Sequence, residues 1–297
     1  MYLVVGDTKD YWCNDVYSNL KAKKKKAKLI SNPLLYPNHF AWRLDNEQSI
    51  SKLILGKNEL IKDDEIKGVF IRRAANIDGK DWEADDFIYM QTEIQAAMLA
   101  WIWSLNCQLI NRYPASIWYR PRVPLLFWQP LLRRCGLPAL ETLITNVEKE
   151  ARAFKNYAVY GPLTSNTKFL LMQNEEWNGL SSLQKLTPVC LTPPHEEAKF
   201  VCIVGKKIIW GNKISSELKK FEPALLHFSE LVGLNFLELV FANTTNGIRA
   251  ITVEPYPFYE HFNESIRQRI VEAIVQLLLN ENDLRKEIFQ PFQRNYV

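Results

Sequence analysis

Residues 107–146 limit what this chain can fold into more than any other segment. The apolar stretch 108–110 predicts a buried strand, and the turn residues 111–114 end it. An amphipathic helix follows and stops before Gly136, a residue that commonly ends helices. A second strand is expected at 143–145. A strand, a helix and another strand in this order predict a layered α/β fold.

The same alternation of strands and helices continues on both sides of this segment. Apolar periodicity predicts strands at 2–5, 41–44, 68–73, 200–205, 207–210, 234–243 and 248–254, and helices at 85–105, 148–154, 218–232 and 265–280. The Asn-Gly pair within 244–247 is a strong signal for a tight hairpin between two of these strands. The sequence therefore predicts a mixed α/β (α+β) chain, and its 297 residues suffice for about two domains.

Charge, apolar runs and cysteine spacing indicate which kinds of binding partner and which cellular compartment suit this chain. The net charge of +4 and the pI of about 8.6 are too small to indicate nucleic-acid binding. No apolar run approaches the roughly 20 residues of a membrane span, and no signal-peptide pattern follows Met1. The five cysteines show neither disulfide nor zinc spacing, which predicts reduced thiols in a cytoplasmic protein.

Six lysines fall within the eight positions 21–28. Such a run suits contact with an acidic partner or a phosphate. A lysine run of this kind more often marks a solvated helix end or loop. Both interpretations stay open.

The order of features in 107–146 resembles the start of the core in the ATP-grasp ligases that modify peptides. In that family a strand ends in Asn-Arg-Pro, a helix follows, and a GLxxPxTLxTN stretch leads into the next strand. Here Tyr113 separates the arginine from the proline, and Pro138 comes two positions early. The helix at 91–105 and the double arginine that ends the strand at 68–73 also resemble this family, so the resemblance covers most of the chain.

The resemblance implies an ATP-grasp-like architecture. It comprises an N-terminal α/β domain over 1–115 and an ATP-grasp-like region with a central lobe over 116–187 and a C-terminal lobe over 188–297. Members of the family bind a leader peptide and often form homodimers, so both properties are implied for this chain. The cations to be tested first for peptide binding are Arg72, Arg73, Arg112 and Arg122.

Ligases of this family activate a carboxylate as an acyl phosphate, which requires cations around the phosphates and Mg²⁺ held by oxygen ligands. The first phosphate lysine of the family lies in a VxKPL strand, and the matching position here is Gly161. Lys168 can replace that lysine only if its loop folds back. The arginine of a later RVxVVG strand is also missing. The nearest cation, Lys199, is expected to point to the opposite face of the strand.

The family's adenine contacts come from a hinge that reads QExI, matched here by 188–192 without the Gln or the Glu. Backbone contacts to adenine around Cys190 would need no particular side chain. Pro193 and Pro194 follow and make the hinge stiff. Cys190 therefore remains a candidate nucleotide contact through its backbone alone.

The family's Mg²⁺ ligands lie on two late strands. Here Val240 takes the place of an Asp and Tyr256 that of an Asn, while Glu254 keeps the Glu. Glu238 lies two residues before Val240, on the same face of the strand, and is a candidate for a displaced ligand. One carboxylate seldom suffices for a catalytic Mg²⁺ ion, so no metal site is predicted.

These departures fall where strand and turn spacing still matches, which favours loss of nucleotide chemistry on a retained scaffold. The first interpretation is a catalytically degenerate ATP-grasp-like protein without a cofactor. It would bind a precursor peptide, or an active partner enzyme, in a ribosomal peptide natural-product pathway. The second is an active ATP-dependent carboxylate–amine ligase that uses ATP and Mg²⁺, with Lys168, Lys199, Glu238 and Glu254 as rearranged ligands. The third is a purely structural subunit.

Overall fold

The computed structural model describes residues 1–44, 49–55, 59–74, 77–80, 82–120, 123–154, 159–161, 170–171, 188–211 and 214–280. The chain divides into two compact units. The first comprises residues 1–119 and 267–297, and the second comprises residues 120–266.

In the described residues before 120, the first unit has seven strands and three α-helices. In chain order they are β1 (Tyr2–Val5), α1 (Tyr11–Ala22), β2 (Ala27–Ile30), β3 (His39–Leu44), β4 (Ser49–Leu55), β5 (Glu59–Lys62), β6 (Gly68–Ile71), α2 (Ala84–Ser104), β7 (Gln108–Ile110) and α3 (Ala115–Trp118). The strands predicted at 2–5 and 108–110 and the helix predicted at 85–105 are confirmed.

Four of these strands form a parallel sheet in the order β2-β1-β6-β7. The central strands β1 and β6 are buried at every position, as expected for apolar strands covered on both faces. Helix α1 begins after Asp10, whose side chain accepts a hydrogen bond from the backbone N–H of Cys13. This sheet is the core of the first unit.

Strands β3, β4 and β5 form a separate antiparallel sheet, and one of its faces lies against α2. The ring of Phe40 meets Trp101 edge to face at 5.4 Å. The indole N–H of Trp101 donates to Ser51 Oγ at 2.9 Å, and the backbone N–H of Ser51 donates to Asp63 at 2.6 Å. The sequence predicts only β3 of these strands, because β4 and β5 interrupt their short apolar runs with lysines.

The second unit is built around two antiparallel sheets and the helices beside them. In chain order its elements are α4 (Leu125–Arg134), β8 (Leu143–Thr145), α5 (Glu148–Phe154), β9 (Val159–Gly161), β10 (Leu170–Leu171), β11 (Val189–Thr192), β12 (His195–Val204), β13 (Lys207–Trp210), α6 (Ser216–Lys219), α7 (Glu222–Val232), β14 (Phe236–Thr244) and β15 (Gly247–Glu254). The final helix, α8 (Glu264–Leu279), contributes its residues from Arg267 onward to the first unit.

One sheet of the second unit has the order β10-β9-β11-β8 and the other the order β13-β12-β14-β15. The hairpin predicted from the Asn-Gly pair is confirmed: Thr244 lies opposite Gly247, which has φ of +88°. Trp128 of α4 contacts Phe228 of α7 at 6.1 Å and is fully buried. This contact packs two helices of the unit against each other.

All five cysteines are free and buried. Burial raises the pKa of the Cys107 thiol to about 12. Among the described residues, no helix combines the length and the apolar composition needed to cross a bilayer.

The C-terminus of α4 shows why Gly136 is required there. Gly136 has φ of +77°, its N–H donates to Arg133 O at 3.0 Å, and the N–H of Leu137 donates to Leu132 O at 2.9 Å. These two bonds form a Schellman motif, in which the residue after the cap adopts the left-handed conformation. No atom lies within 4 Å of the position that a Cβ at residue 136 would take, so the backbone conformation alone selects glycine.

We expect Gly136→Ala to lower the free energy of unfolding by about 1–2 kcal/mol, because alanine is strained at positive φ. Urea unfolding followed by circular dichroism measures this loss. Gly136→Asn is the matched control and should lose less, since asparagine tolerates the left-handed region. Equal losses in the two variants would contradict the backbone explanation.

Candidate functional site

One face of the sheet β13-β12-β14-β15 carries three residues that the resemblance placed at the metal, Glu238, Val240 and Glu254, together with Phe200 of β12. Phe200 lies opposite Val240, and Glu238 lies opposite Glu254. Cross-strand partners share a face, and residues two apart on a strand also share it. We call the surface formed by Phe200, Glu238, Val240 and Glu254 the carboxylate face.

Glu238 is the most deeply buried charged group described on this face, with 0% of its surface exposed. Its Oε2 accepts a hydrogen bond from the backbone N–H of Phe258 at 2.8 Å. Its Oε1 lies 2.5 Å from Nδ1 of His261. A buried carboxylate is tolerated only when it is paired and hydrogen-bonded, and these two contacts supply that compensation.

The ring of His261 is held on both sides. It stacks on Phe200, with ring centroids 4.2 Å apart and an interplanar angle of 24°, and it lies 5.0 Å from the ring of Phe258. Burial lowers the pKa of His261, but the hydrogen bond and charge of Glu238, with weaker contributions from Glu254 and Glu260, raise it above the ordinary value. The pair therefore favours an imidazolium beside a carboxylate.

Val240 stands where the resemblance expected a metal-binding Asp, and it is 3% exposed. It belongs to an apolar cluster with Leu125, Leu140, Ala242 and Ile251. Tyr256, in place of the Asn, is also buried. Glu254 accepts a hydrogen bond from Thr252 Oγ1 at 2.9 Å. Within the described ranges, no group of three or more His, Cys, Asp or Glu side chains is placed to hold a metal ion.

The described candidate nucleotide contacts, Lys199 and Cys190, lie on two different sheets. Lys199 lies on the other face of β12 from Phe200, and its Nζ pairs with Glu197 at 2.8 Å. Cys190 lies within β11, opposite Ile144 on one side and Gly161 on the other. Burial raises the pKa of its thiol to about 11.

Two further candidates, Lys168 and Arg122, fall outside the described residues. Beyond β11, Pro193 and Pro194 offer no N–H groups. Backbone recognition of adenine next to this strand would therefore have to rely on other donors.

The candidate peptide-binding arginines lie in the first unit and have different surroundings. Arg72 is 9% exposed, and its Nε donates to Asp10 Oδ2 at 2.9 Å. Arg73 is exposed. Both raise the local positive potential around buried Tyr113, whose pKa burial nevertheless raises to about 12. Arg72 thus connects the end of β6 to the N-cap of α1.

Arg112 ends α2. Its guanidinium donates to the carbonyl oxygens of Ile102, Trp103 and Leu105 at 3.2, 2.9 and 2.9 Å. It also lies 5.5 Å from the ring of Trp103. Ile102 O also accepts a hydrogen bond from the backbone N–H of Leu105 at 3.3 Å. Arg112 supplies further donors at this helix end and so acts as a C-terminal cap for a helix that has no basic residue in its last turn.

Sequence reasoning missed His261 and Phe258. His261 is separated from Glu238 by 23 residues, and no motif connects the two positions. The available signal was Glu238 itself, an acidic residue inside an apolar stretch of sequence. A carboxylate buried at such a position requires a hydrogen-bonding or charged partner.

Solved structures share this fold along nearly its whole length. The macrocyclase MdnC from Microcystis aeruginosa MRC, bound with precursor peptide MdnA, is 17% identical with a TM-score of 0.73, covering 94% of this chain and 99% of MdnC. A Chryseobacterium gregarium RiPP-associated ATP-grasp ligase, in complex with ADP and a leader and core peptide, is 14% identical with a TM-score of 0.72, covering 93% and 96%. The ATP-grasp ligase PsnB, complexed with precursor peptide PsnA2 and AMPPNP, is 16% identical with a TM-score of 0.71, covering 94% and 98%.

These likenesses confirm the predicted α/β, ATP-grasp-like fold and its resemblance to peptide-modifying ligases. No protein-family model matches the sequence, and no curated protein matches it.

We expect the His261–Glu238 pair to stabilise the protein in a pH-dependent way. Because the folded-state pKa of His261 is raised, its contribution is fully present below the unfolded value of about 6.5 and is lost as the pH rises through the folded pKa. His261→Gln should therefore lower the free energy of unfolding by about 1.5–3 kcal/mol at acidic pH and by less at alkaline pH. Urea unfolding of both proteins at about pH 5.5 and pH 8.5 measures the difference.

His227→Gln is the control, because His227 is exposed on α7. It should show little effect at either pH. A loss in His261→Gln that is the same at both pH values would contradict the assigned charge of the pair.

Proposed function

We propose that this protein is a catalytically degenerate ATP-grasp-like protein of the cytoplasm. Its role is to bind a precursor peptide, or the enzyme that modifies it, in a ribosomal peptide natural-product pathway. It does so without transferring phosphate.

The observation that carries this proposal is the filling of the carboxylate face by the chain's own side chains. Phe200 and His261 stack there, and His261 and the Phe258 N–H satisfy Glu238. Val240 completes an apolar cluster next to them. The fold of peptide-binding ligases is thus combined with a surface on which the described residues supply none of the phosphate cations expected for them.

Mg²⁺ and ATP do not fit the described donors of this face. Mg²⁺ requires hard oxygen ligands in near-octahedral geometry, several of them water molecules. Glu238 has both oxygens engaged and no exposed surface, and Glu254 alone remains from the expected set. No phosphate transfer step is therefore assigned to this chain.

A peptide partner is supported by the fold of MdnC and PsnB, whose structures contain precursor peptides. Of the arginines considered, Arg73 is exposed to solvent, Arg112 is half-buried, and Arg72 is buried. We assign peptide contact to Arg73 first, and a positioning role to the other two. The homodimer implied by the resemblance stays a prediction.

An active ligase with rearranged ligands is the second candidate. It is favoured by one feature, the position of Glu238 directly opposite Glu254 on neighbouring strands. Two adjacent carboxylates could share a cation if His261 moved away. Lys199 gives this candidate no support, because it lies on the opposite face and pairs with Glu197.

Calorimetric titration of the protein with ATP and Mg²⁺ separates the two candidates. We expect no heat of binding and no shift in melting temperature, because Phe200 and the Glu238–His261 pair fill the carboxylate face. Micromolar binding that needs Mg²⁺ and is lost in Glu254→Gln would establish the ligase instead.

Peptide binding is tested with synthetic peptides encoded by short reading frames beside the gene. We expect Arg73→Ala to weaken binding by about 1.5–3 kcal/mol, the range for a hydrogen bond to a charged group. Arg133→Ala is the matched control, since Arg133 is an exposed arginine at the end of α4 in the second unit. Equal affinities of the Arg73→Ala variant and the wild type would remove Arg73 from the site.

A further inference from the structure

The end of α1 and the turn after it concentrate positive charge. Six of the eight residues at positions 21–28 are lysines. Five of these side chains are exposed, and we call the surface that they form the lysine turn: Lys21, Lys23, Lys24, Lys25 and Lys26. Attraction to the helix dipole accounts for a cation in the last turn of a helix, such as Lys21, but Lys25 and Lys26 lie beyond that turn.

Hydrogen bonds hold the backbone of the lysine turn in one conformation. The N–H of Lys24 donates to Lys21 O at 2.9 Å, and the N–H of Lys25 donates to Leu20 O at 3.0 Å. These two bonds form a Schellman motif, as at the end of α4. Strand β2 then begins at Ala27 and pairs with β1. The lysines therefore belong to an ordered helix end that is joined directly to the parallel sheet of the first unit.

Lys24 takes the left-handed position of this motif, with φ of +56°. The corresponding residues after α4 and α7 are Gly136 and Gly233, both at positive φ. Glycine adopts this conformation without strain, whereas the Cβ of a lysine comes too close to the following carbonyl oxygen. The chain thus has a strained lysine at the helix end where its positive charge is concentrated. Because backbone strain of this kind clusters at functional sites, it indicates a role for the Lys24 side chain.

A carboxylate of the first unit already contacts this surface. Oε1 of Glu59 lies 3.5 Å from Nζ of Lys26, and Oε2 lies 2.5 Å from Nζ of Lys28. The hydrogen bond from Lys28 is the main cause that lowers the pKa of Glu59. Among the described residues, no carboxylate forms an ion pair with the other four lysines of the turn. The structure therefore shows how a carboxylate binds here, beside four exposed cations that a further acidic group can reach.

We propose that the lysine turn binds a segment of a protein partner that is rich in glutamate or aspartate. Carboxylates of that segment would pair with Lys23, Lys24 and Lys25, as Glu59 pairs with Lys26. Lysine suits this role because its point charge attracts carboxylates without the fixed geometry of a guanidinium. Attraction between exposed charges mainly increases the rate of encounter, so this surface would set how fast the acidic segment is captured.

Other polyanions match the lysine turn less well. Single-stranded nucleic acids are bound by aromatic side chains on which bases stack, and helices that lie on membranes carry large apolar side chains beside their basic ones. The exposed residue between the lysines is Ala22, which offers neither. The contact of Glu59 with Lys26 and Lys28 shows, in contrast, that carboxylates fit. An acidic protein segment is therefore the occupant that these observations favour.

The test uses the full chain and a fluorescein-labelled synthetic peptide in which glutamate and serine alternate, with binding followed by fluorescence anisotropy. Lys23→Glu/Lys25→Glu should bind this peptide about tenfold more weakly or worse, because attraction becomes repulsion. The matched control is Lys219→Glu/Lys220→Glu. It makes the same charge change at two exposed lysines at the end of α6 in the second unit, and it should leave the affinity unchanged.

Lys24→Gly separates the charge of the turn from its backbone structure. This variant removes one cation and relieves the strain at positive φ, so the melting temperature should rise. The affinity for the acidic peptide should fall about two- to fivefold, the range for one exposed ion pair. A rise in melting temperature with unchanged affinity would contradict a binding role for Lys24.

Three results with the acidic peptide would overturn the inference. They are absence of binding by the wild type, equal binding of a peptide with lysine in place of glutamate, and an equal loss of affinity in the α6 control. Binding of phosphatidylcholine–phosphatidylglycerol vesicles or of oligothymidylate through these lysines, without binding of the acidic peptide, would overturn it as well and identify a membrane or a nucleic acid as the occupant.

The inference does not rest on the proposed function. The lysine turn precedes β2 at the amino edge of the parallel sheet, whereas Arg73 follows β6 at the carboxyl edge. The carboxylate face lies in the second unit. Failure of the acidic peptide to bind the lysine turn, and failure of the ATP or Arg73 tests, are therefore distinguishable results.

Discussion

The second unit depends on how one buried carboxylate is neutralised. Glu238 sits in the middle of an antiparallel sheet with no exposure to water, and an ion in that position costs several kcal/mol unless partners replace its hydration. The chain supplies those partners from the segment after β15, through one backbone N–H and one imidazole. In doing so it fixes the path of residues 258–262 across the carboxylate face. The same contacts that stabilise the fold therefore also cover the carboxylate face.

In the first unit, too, charged side chains stabilise the fold. Arg72 is fixed by the N-cap of α1, and Arg112 caps α2, so two of the arginines that the sequence suggests as ligands stabilise helix ends. A guanidinium with three carbonyl partners is held in one orientation, and this also fixes the positions of the residues beside it. Arg73, the residue after Arg72, is exposed to solvent.

The sequence predicted the elements whose signals are local. The strand at 108–110 and the hairpin at 244–247 follow from short apolar runs and from an Asn-Gly pair, and both are confirmed. Strands β4 and β5 escaped prediction because lysines interrupt their short apolar runs, and because their inner face is buried only by α2. The pairing of Glu238 with His261 escaped for the same reason, since two residues far apart in the chain meet only after the sheet and its following turn have formed. The position of Lys199 on the opposite face, in contrast, follows from strand alternation alone.

The proline pair that follows β11 restricts the backbone changes that this connection can make. Enzymes that enclose a nucleotide usually open and close through a few hinge residues that absorb large changes in backbone dihedral angles. Pro193 and Pro194 have φ fixed by their rings, so this connection can absorb little of such a change. A protein without an opening and closing cycle can meet a partner in a single docking step. Its encounter rate would then be set by diffusion and charge, with no delay for the movement of a lid.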